Sequence, residues 1–91
     1  MYVFKRSKRF RKDFKRIHER KDFNEISFIA VIETLQKGQI LPARYKNHKL
    51  QGAFIDCMEC HVQSDILLIY QVNAKKHIVY LLRIGSHSDL F

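Results

Sequence analysis

The chain has 91 residues, 46% of them apolar, with a formal net charge of +8 at pH 7. That length suits one domain around one core, and no apolar run exceeds five residues, far below the ~18–20 needed to span a bilayer. The first residues, Met1-Tyr2-Val3-Phe4-Lys5, lack the extended apolar region of a secretory signal, so a cytoplasmic protein with no membrane partner is expected.

In chain order, Tyr2-Val3-Phe4 followed by Lys5-Arg6 predicts a first strand. Ser7 can cap a helix, along which Phe10, Phe14 and Ile17 recur at i, i+4 and i+7 as one apolar stripe. Arg9, Arg11, Lys12, Lys15 and Arg16 fill the rest of that helix. Residues 1–21 hold ten Lys/Arg against two acids, Asp13 and Glu19, whereas residues 22–91 hold seven of each sign. All of the excess positive charge therefore sits in the first quarter of the chain. A solvated face mixes both signs and this one hardly does, which points to an anionic partner: nucleic acid or an acidic protein segment.

A break at residues 20–24 offers Asp22 or Asn24 as the next cap. A second helix then runs to about Lys37, with Ile26, Ile29, Ala30, Ile32 and Leu35 expected in the core and Gly38 as its stop. Leu41-Pro42 begins a polar loop through Tyr45, Lys46, Asn47, His48 and Lys49 to Gly52. Strands are predicted over residues 54–62, 66–72 and 78–84, separated by turns at Gln63-Ser64 and at residues 73–76. The nearly unbroken apolar run at 66–72 reads as a central strand buried on both faces. The order β-α-α-β-β-β implies a single α+β domain over residues 1–91, with two helices covering one face of a largely antiparallel sheet. The other face is then available for a ligand.

Cys57-Met58-Glu59-Cys60-His61 matches the pattern that attaches c-type haem. On an alternating strand, however, residues three apart face opposite sides of the sheet, so the two thiols diverge. No second Cys/His pair lies at finger-like spacing for zinc. Two free thiols, and neither a cofactor nor a metal, are expected.

Of the five histidines, His18 on the basic helix and His77 beside a turn read as surface residues. His48 sits in the loop entering the sheet, His61 near the end of one strand, and His87 just after the last. Asp65 opens the strand after His61, and Arg83 ends the strand before His87. Imidazole readily takes or gives a proton near neutral pH, and Arg offers a fixed fork of donors to phosphate oxygens. Such groups suit RNA transesterification, in which a ribose 2′-hydroxyl attacks the adjacent phosphorus, a base takes its proton and an acid protonates the departing 5′ oxygen. Strand parity alone does not fix the direction of Arg83.

The stretch Leu41-Pro42-Ala43-Arg44-Tyr45-Lys46-Asn47-His48-Lys49-Leu50-Gln51-Gly52 resembles the loop of the YafQ-like branch of the RelE/ParE toxin superfamily. Cys60-His61-Val62-Gln63-Ser64-Asp65 with Leu67-Leu68-Ile69-Tyr70 resembles its next block. The most specific match is the segment Arg83-Ile84-Gly85-Ser86-His87-Ser88-Asp89-Leu90-Phe91. The resemblance implies a RelE-like microbial-RNase fold and the toxin of a type II toxin–antitoxin pair, an mRNA interferase cutting translated mRNA in the ribosomal A site without a metal. It further implies a cognate antitoxin as partner, with DNA met only through an antitoxin complex. Residue by residue, it makes His87 the general acid and His48, His61 and Asp65 proton-transfer or substrate-positioning groups. Arg83, Lys46 and Lys49 become phosphate contacts, and Phe91 a nucleobase or ribosome contact. This chain departs from the pattern at Ile66, where an aromatic is common, at Met58, where a basic residue is usual, and at Ser64, where proline is common. A non-catalytic basic module binding nucleic acid or antitoxin needs only the basic helix and none of these histidines. A ParE-like gyrase inhibitor on the same scaffold would likewise not need them.

Overall fold

Short amphipathic segments can bury their apolar stripes only against one another. The computed structural model describes residues 1–91 and places β1 (Val3–Arg6), α1 (Lys8–His18), α2 (Glu25–Gln36), β2 (His48–Lys49), β3 (Met58–Gln63), β4 (Ile66–Asn73), β5 (Ile78–Gly85) and α3 (His87–Leu90) in that order. The five strands form one sheet ordered β1-β5-β4-β3-β2. Only β1 and β5 run parallel; the other neighbours are antiparallel. This is the expected α+β architecture, and the apolar run at the start of β4 is central and buried throughout residues 66–70.

The larger core lies under α1 and α2, where Phe10, Ile17, Val31 and Leu35 meet Cys60, Leu68, Val79 and Ile84 of the sheet. Burying each such aliphatic side chain contributes roughly 1.5–3 kcal/mol. Ser7 caps α1 by accepting from the Phe10 amide, and its own hydroxyl donates to the Leu82 carbonyl at 2.8 Å, tying the helix to β5. Asn24, one of the two expected caps, accepts from the Ser27 amide. Gly38 ends α2 at φ +69°, and a β-carbon there would lie 2.9 Å from the Tyr2 ring.

Two expectations about the helices are corrected. Ile26 and Ile29 are exposed (84% and 47%), while Val31, not singled out, is fully buried. The inward stripe is Phe28, Val31, Ile32 and Leu35, at i, i+3, i+4 and i+7. Because α2 is apolar nearly all round, composition did not mark its inner face. The tail after β5 also folds: Ser86 and Asp89 make a capping box, each side chain accepting from the other's backbone amide, and so set α3.

The strand predicted from residue 54 begins at Met58, because residues 52–54 form a tight helical turn. Nor is the second sheet face bare. Leu90 of α3 packs there with Cys57, Leu67 and Ile69, flanked by Leu50 and Phe54. Gly85 permits this approach, since a β-carbon there would lie 3.2 Å from Asp89 Cβ. As parity requires, Cys57 belongs to this small cluster and Cys60 to the main core. Burial pushes the Cys60 thiol up to about 12, so it is protonated and unreactive at neutral pH.

Candidate active site

The exposed part of the second sheet face holds a cleft of about 440 Å³ lined by Glu59, His61, Ser64, Asp65, Leu67 and His87. Each lining group has a local cause. Glu59 and His61 alternate outward on β3 while Cys60 and Val62 face the core. His87 opens α3, whose capping box fixes where that helix starts. The amide and hydroxyl of Ser86 hold the Asp89 carboxyl below the ordinary carboxylate range, so the box carries a full negative charge at neutral pH.

His48 joins the cleft through Glu59, its cross-strand partner. His48 Nε2 lies 3.2 Å from Glu59 Oε1, and Nδ1 lies 2.7 Å from the Lys46 carbonyl oxygen. Both ring nitrogens thus face acceptors. Lys46 has φ 48°, a left-handed conformation uncommon for a side chain with a β-carbon, and this turns its carbonyl toward His48. Glu59 itself is 5% exposed. A carboxylate so deep needs partners, and His48 is the one in the structure.

The other candidates fall in differing places. Phe91 presents a half-exposed ring tilted against His87, with centroids 5.0 Å apart, and meets Phe54 edge-on at 5.7 Å. Asp65 lies 3.3 Å from Arg20 Nη2, and Arg20 also donates to Asp22 at 2.7 and 2.9 Å. Arg83 does not line the cleft. Its Nε donates to Asp13 Oδ2 at 2.7 Å and its Nη2 to Asp13 Oδ1 at 3.2 Å, and its side chain is 14% exposed. Lys49 is exposed on β2 and does not line this cleft. Lys46 lines a second cleft beyond His61. His18 stacks on Phe14 and pairs with Glu25, and His77 stacks on Tyr2, so neither joins the cluster. At the departing positions, Ile66 is 1% exposed in the main core and Met58 packs against it, so neither side chain faces the cleft.

Three residues here were missed from sequence. Glu59 stands two before His61 and shares its face by simple alternation. Asp13, 5% exposed, completes the stripe Phe10, Asp13, Phe14, Ile17; a lone acid among the apolar positions of a cationic helix was the available signal. It also accepts from the Ile84 amide at 3.2 Å, covering the edge of β5 beyond the reach of β1. Arg20, from the loop after α1, had no such signal.

No group of three or more His, Cys, Asp or Glu side chains is placed to hold a metal ion, and no helix is long and apolar enough to cross a membrane.

Residues 2–91 match the family described as "Bacterial toxin of type II toxin-antitoxin system, YafQ". The mRNA interferase toxin YafQ of Escherichia coli K12 is 34% identical over 86 residues, covering 93% of this chain and 90% of that protein. The fold superposes on a metal-bound toxin from Helicobacter pylori with a TM-score of 0.89 at 37% identity, covering all of both chains. It superposes on the toxin of the E. coli DinJ–YafQ complex with a TM-score of 0.86 at 27% identity, covering 100% of this chain and 99% of that one.

Proposed function

The chain belongs to the YafQ family of bacterial type II toxins, and from that premise we propose that it is an endoribonuclease cutting messenger RNA on the ribosome, thereby inhibiting translation. The observation that carries this reading is that His61 and His87, distant in sequence, line one cleft, with His48 held at its wall by Glu59. A metal-free cut needs a base to take the 2′ proton and an acid to protonate the 5′ oxygen, and imidazoles do both near neutral pH. The attacking 2′ oxygen bonds to phosphorus, the P–O5′ bond breaks, and the products are a 2′,3′-cyclic phosphate and a 5′-hydroxyl. His87, beside the half-exposed Phe91 ring, protonates the leaving oxygen while Phe91 stacks on a base. Asp65, oriented by Arg20, and His61 position the ribose. Arg83 meets phosphate with the guanidinium donors that Asp13 leaves free.

The partner that silences it is an antitoxin with an acidic segment. Lys8, Arg9, Arg11, Lys12, Lys15 and Arg16 are exposed on α1, a face suited to that segment. The same feature favours the second reading, a non-catalytic module that binds anions through α1 alone. Mapping RNA ends after expression separates the two. Ribosome-bound messages are expected to carry new 5′-hydroxyl and 2′,3′-cyclic phosphate ends, whereas growth arrest with intact messages would favour the binding module.

A further inference from the structure

The cleft at His61 and His87 is poor in available cations. Its charged walls include Glu59 and Asp65, and the nearby arginines are engaged, Arg20 by Asp22 and Asp65 and Arg83 by Asp13. Beyond the donors that Asp13 leaves free on Arg83, a phosphodiester chain entering there must have its charge met elsewhere. On the other side of His61 lies a second cleft of about 440 Å³, and His61 and Ser64 line both. It opens because β2 pairs only with Met58 and Glu59, leaving the outer edge of residues 61–63 without a strand. Arg44 and Lys46 line it, and neither pairs with an acid.

The fold positions the Arg44 guanidinium and sets the backbone of Lys46. Arg44 lies 4.8 Å from the centre of the buried Tyr45 ring and donates to the Tyr45 hydroxyl at 2.9 Å. Lys46 has a left-handed backbone whose carbonyl holds His48, and its side chain is exposed at the cleft. Asn24 uses its side-chain oxygen to cap α2 and keeps its amide donors for a ligand at the same cleft.

We propose that this second cleft is a nucleotide subsite, where Arg44 and Lys46 bind the backbone phosphate flanking the one that is cut and Asn24 reaches the adjoining base. The strand then crosses His61 from one cleft to the other, so the residue that touches the reacting ribose also sets the register. The inference rests on the nuclease reading and adds to it the path of the substrate.

The test is NMR titration of the whole chain with fully 2′-O-methylated RNA, which cannot be cut, as a dinucleotide and as a trinucleotide at millimolar concentration. The parent is expected to bind the trinucleotide about tenfold more tightly, with shifts at Asn24 and residues 44–46 appearing only for the longer RNA. In an Arg44→Gln/Lys46→Gln variant that gain is lost and dinucleotide affinity is unchanged. Its log–log salt slope for the trinucleotide falls by about 0.7 for the single phosphate contact removed. A variant that keeps the gain, or loses dinucleotide affinity equally, overturns the subsite and leaves the nuclease reading standing. Shifts in the parent at residues 44–46 with none at His61 and His87 overturn both, and absence of any shift overturns the subsite alone.

Discussion

Replacing His87 by alanine is expected to abolish mRNA cleavage and growth arrest while the fold and antitoxin binding persist. A positioned general acid contributes about 10²–10⁴-fold to rate, so the variant should fall by that factor in vitro. His87 is exposed and opens α3, and its side chain makes no hydrogen bond; its neighbour is the Phe91 ring at 5.0 Å. The helix is set by Ser86 and Asp89, which the substitution leaves intact. Loss of activity would therefore report chemistry rather than collapse, provided thermal unfolding shifts little. Full growth arrest by His87→Ala would remove this residue from the reaction.

The second large effect is expected at Glu59, a residue the histidine pattern does not announce. Glu59→Gln keeps size and burial but removes the charge facing His48 Nε2 at 3.2 Å. A hydrogen bond involving a charged group is worth about 1.5–3 kcal/mol, which corresponds to roughly 10–150-fold in rate at 1.36 kcal/mol per decade. The loss should fall on kcat, because on the proposed reading the pair orients a group that acts in the reaction. In a His48→Ala background the same substitution should cost little further. Additive losses in the double variant would show that Glu59 acts by some route other than His48.

How much of this was legible in the sequence varies with the physics involved. The β4 run and the capping signals at Ser7 and Asn24 are local, and they appear where their chemistry puts them. The parity of β3 separates Cys57 from Cys60 and puts Glu59 beside His61. The same alternation that parts the two thiols marks the acid. The inner face of α2 was not readable from apolar content alone, since Ile26 and Ile29 are as hydrophobic as the residues that are buried. The direction of Arg83 depends on a bulge between Ile69 and Tyr70, opposite Leu81 and Arg83, and no pattern in the strand announces it. Its pairing with Asp13 spans 70 residues and is a property of the fold. The convergence of His48, His61 and His87 is of that kind as well. Only the resemblance of three ordered motifs pointed to it beforehand.

A crystal structure with an RNA strand carrying a single 2′-deoxy substitution at the cut position would probe the reading at its root. One phosphodiester should sit about 2.6–3.2 Å from imidazole nitrogens of both His61 and His87, with its flanking base against Phe91. RNA lying along the outer cations of α1, with nothing between the two imidazoles, would leave an anion-binding protein and no nuclease.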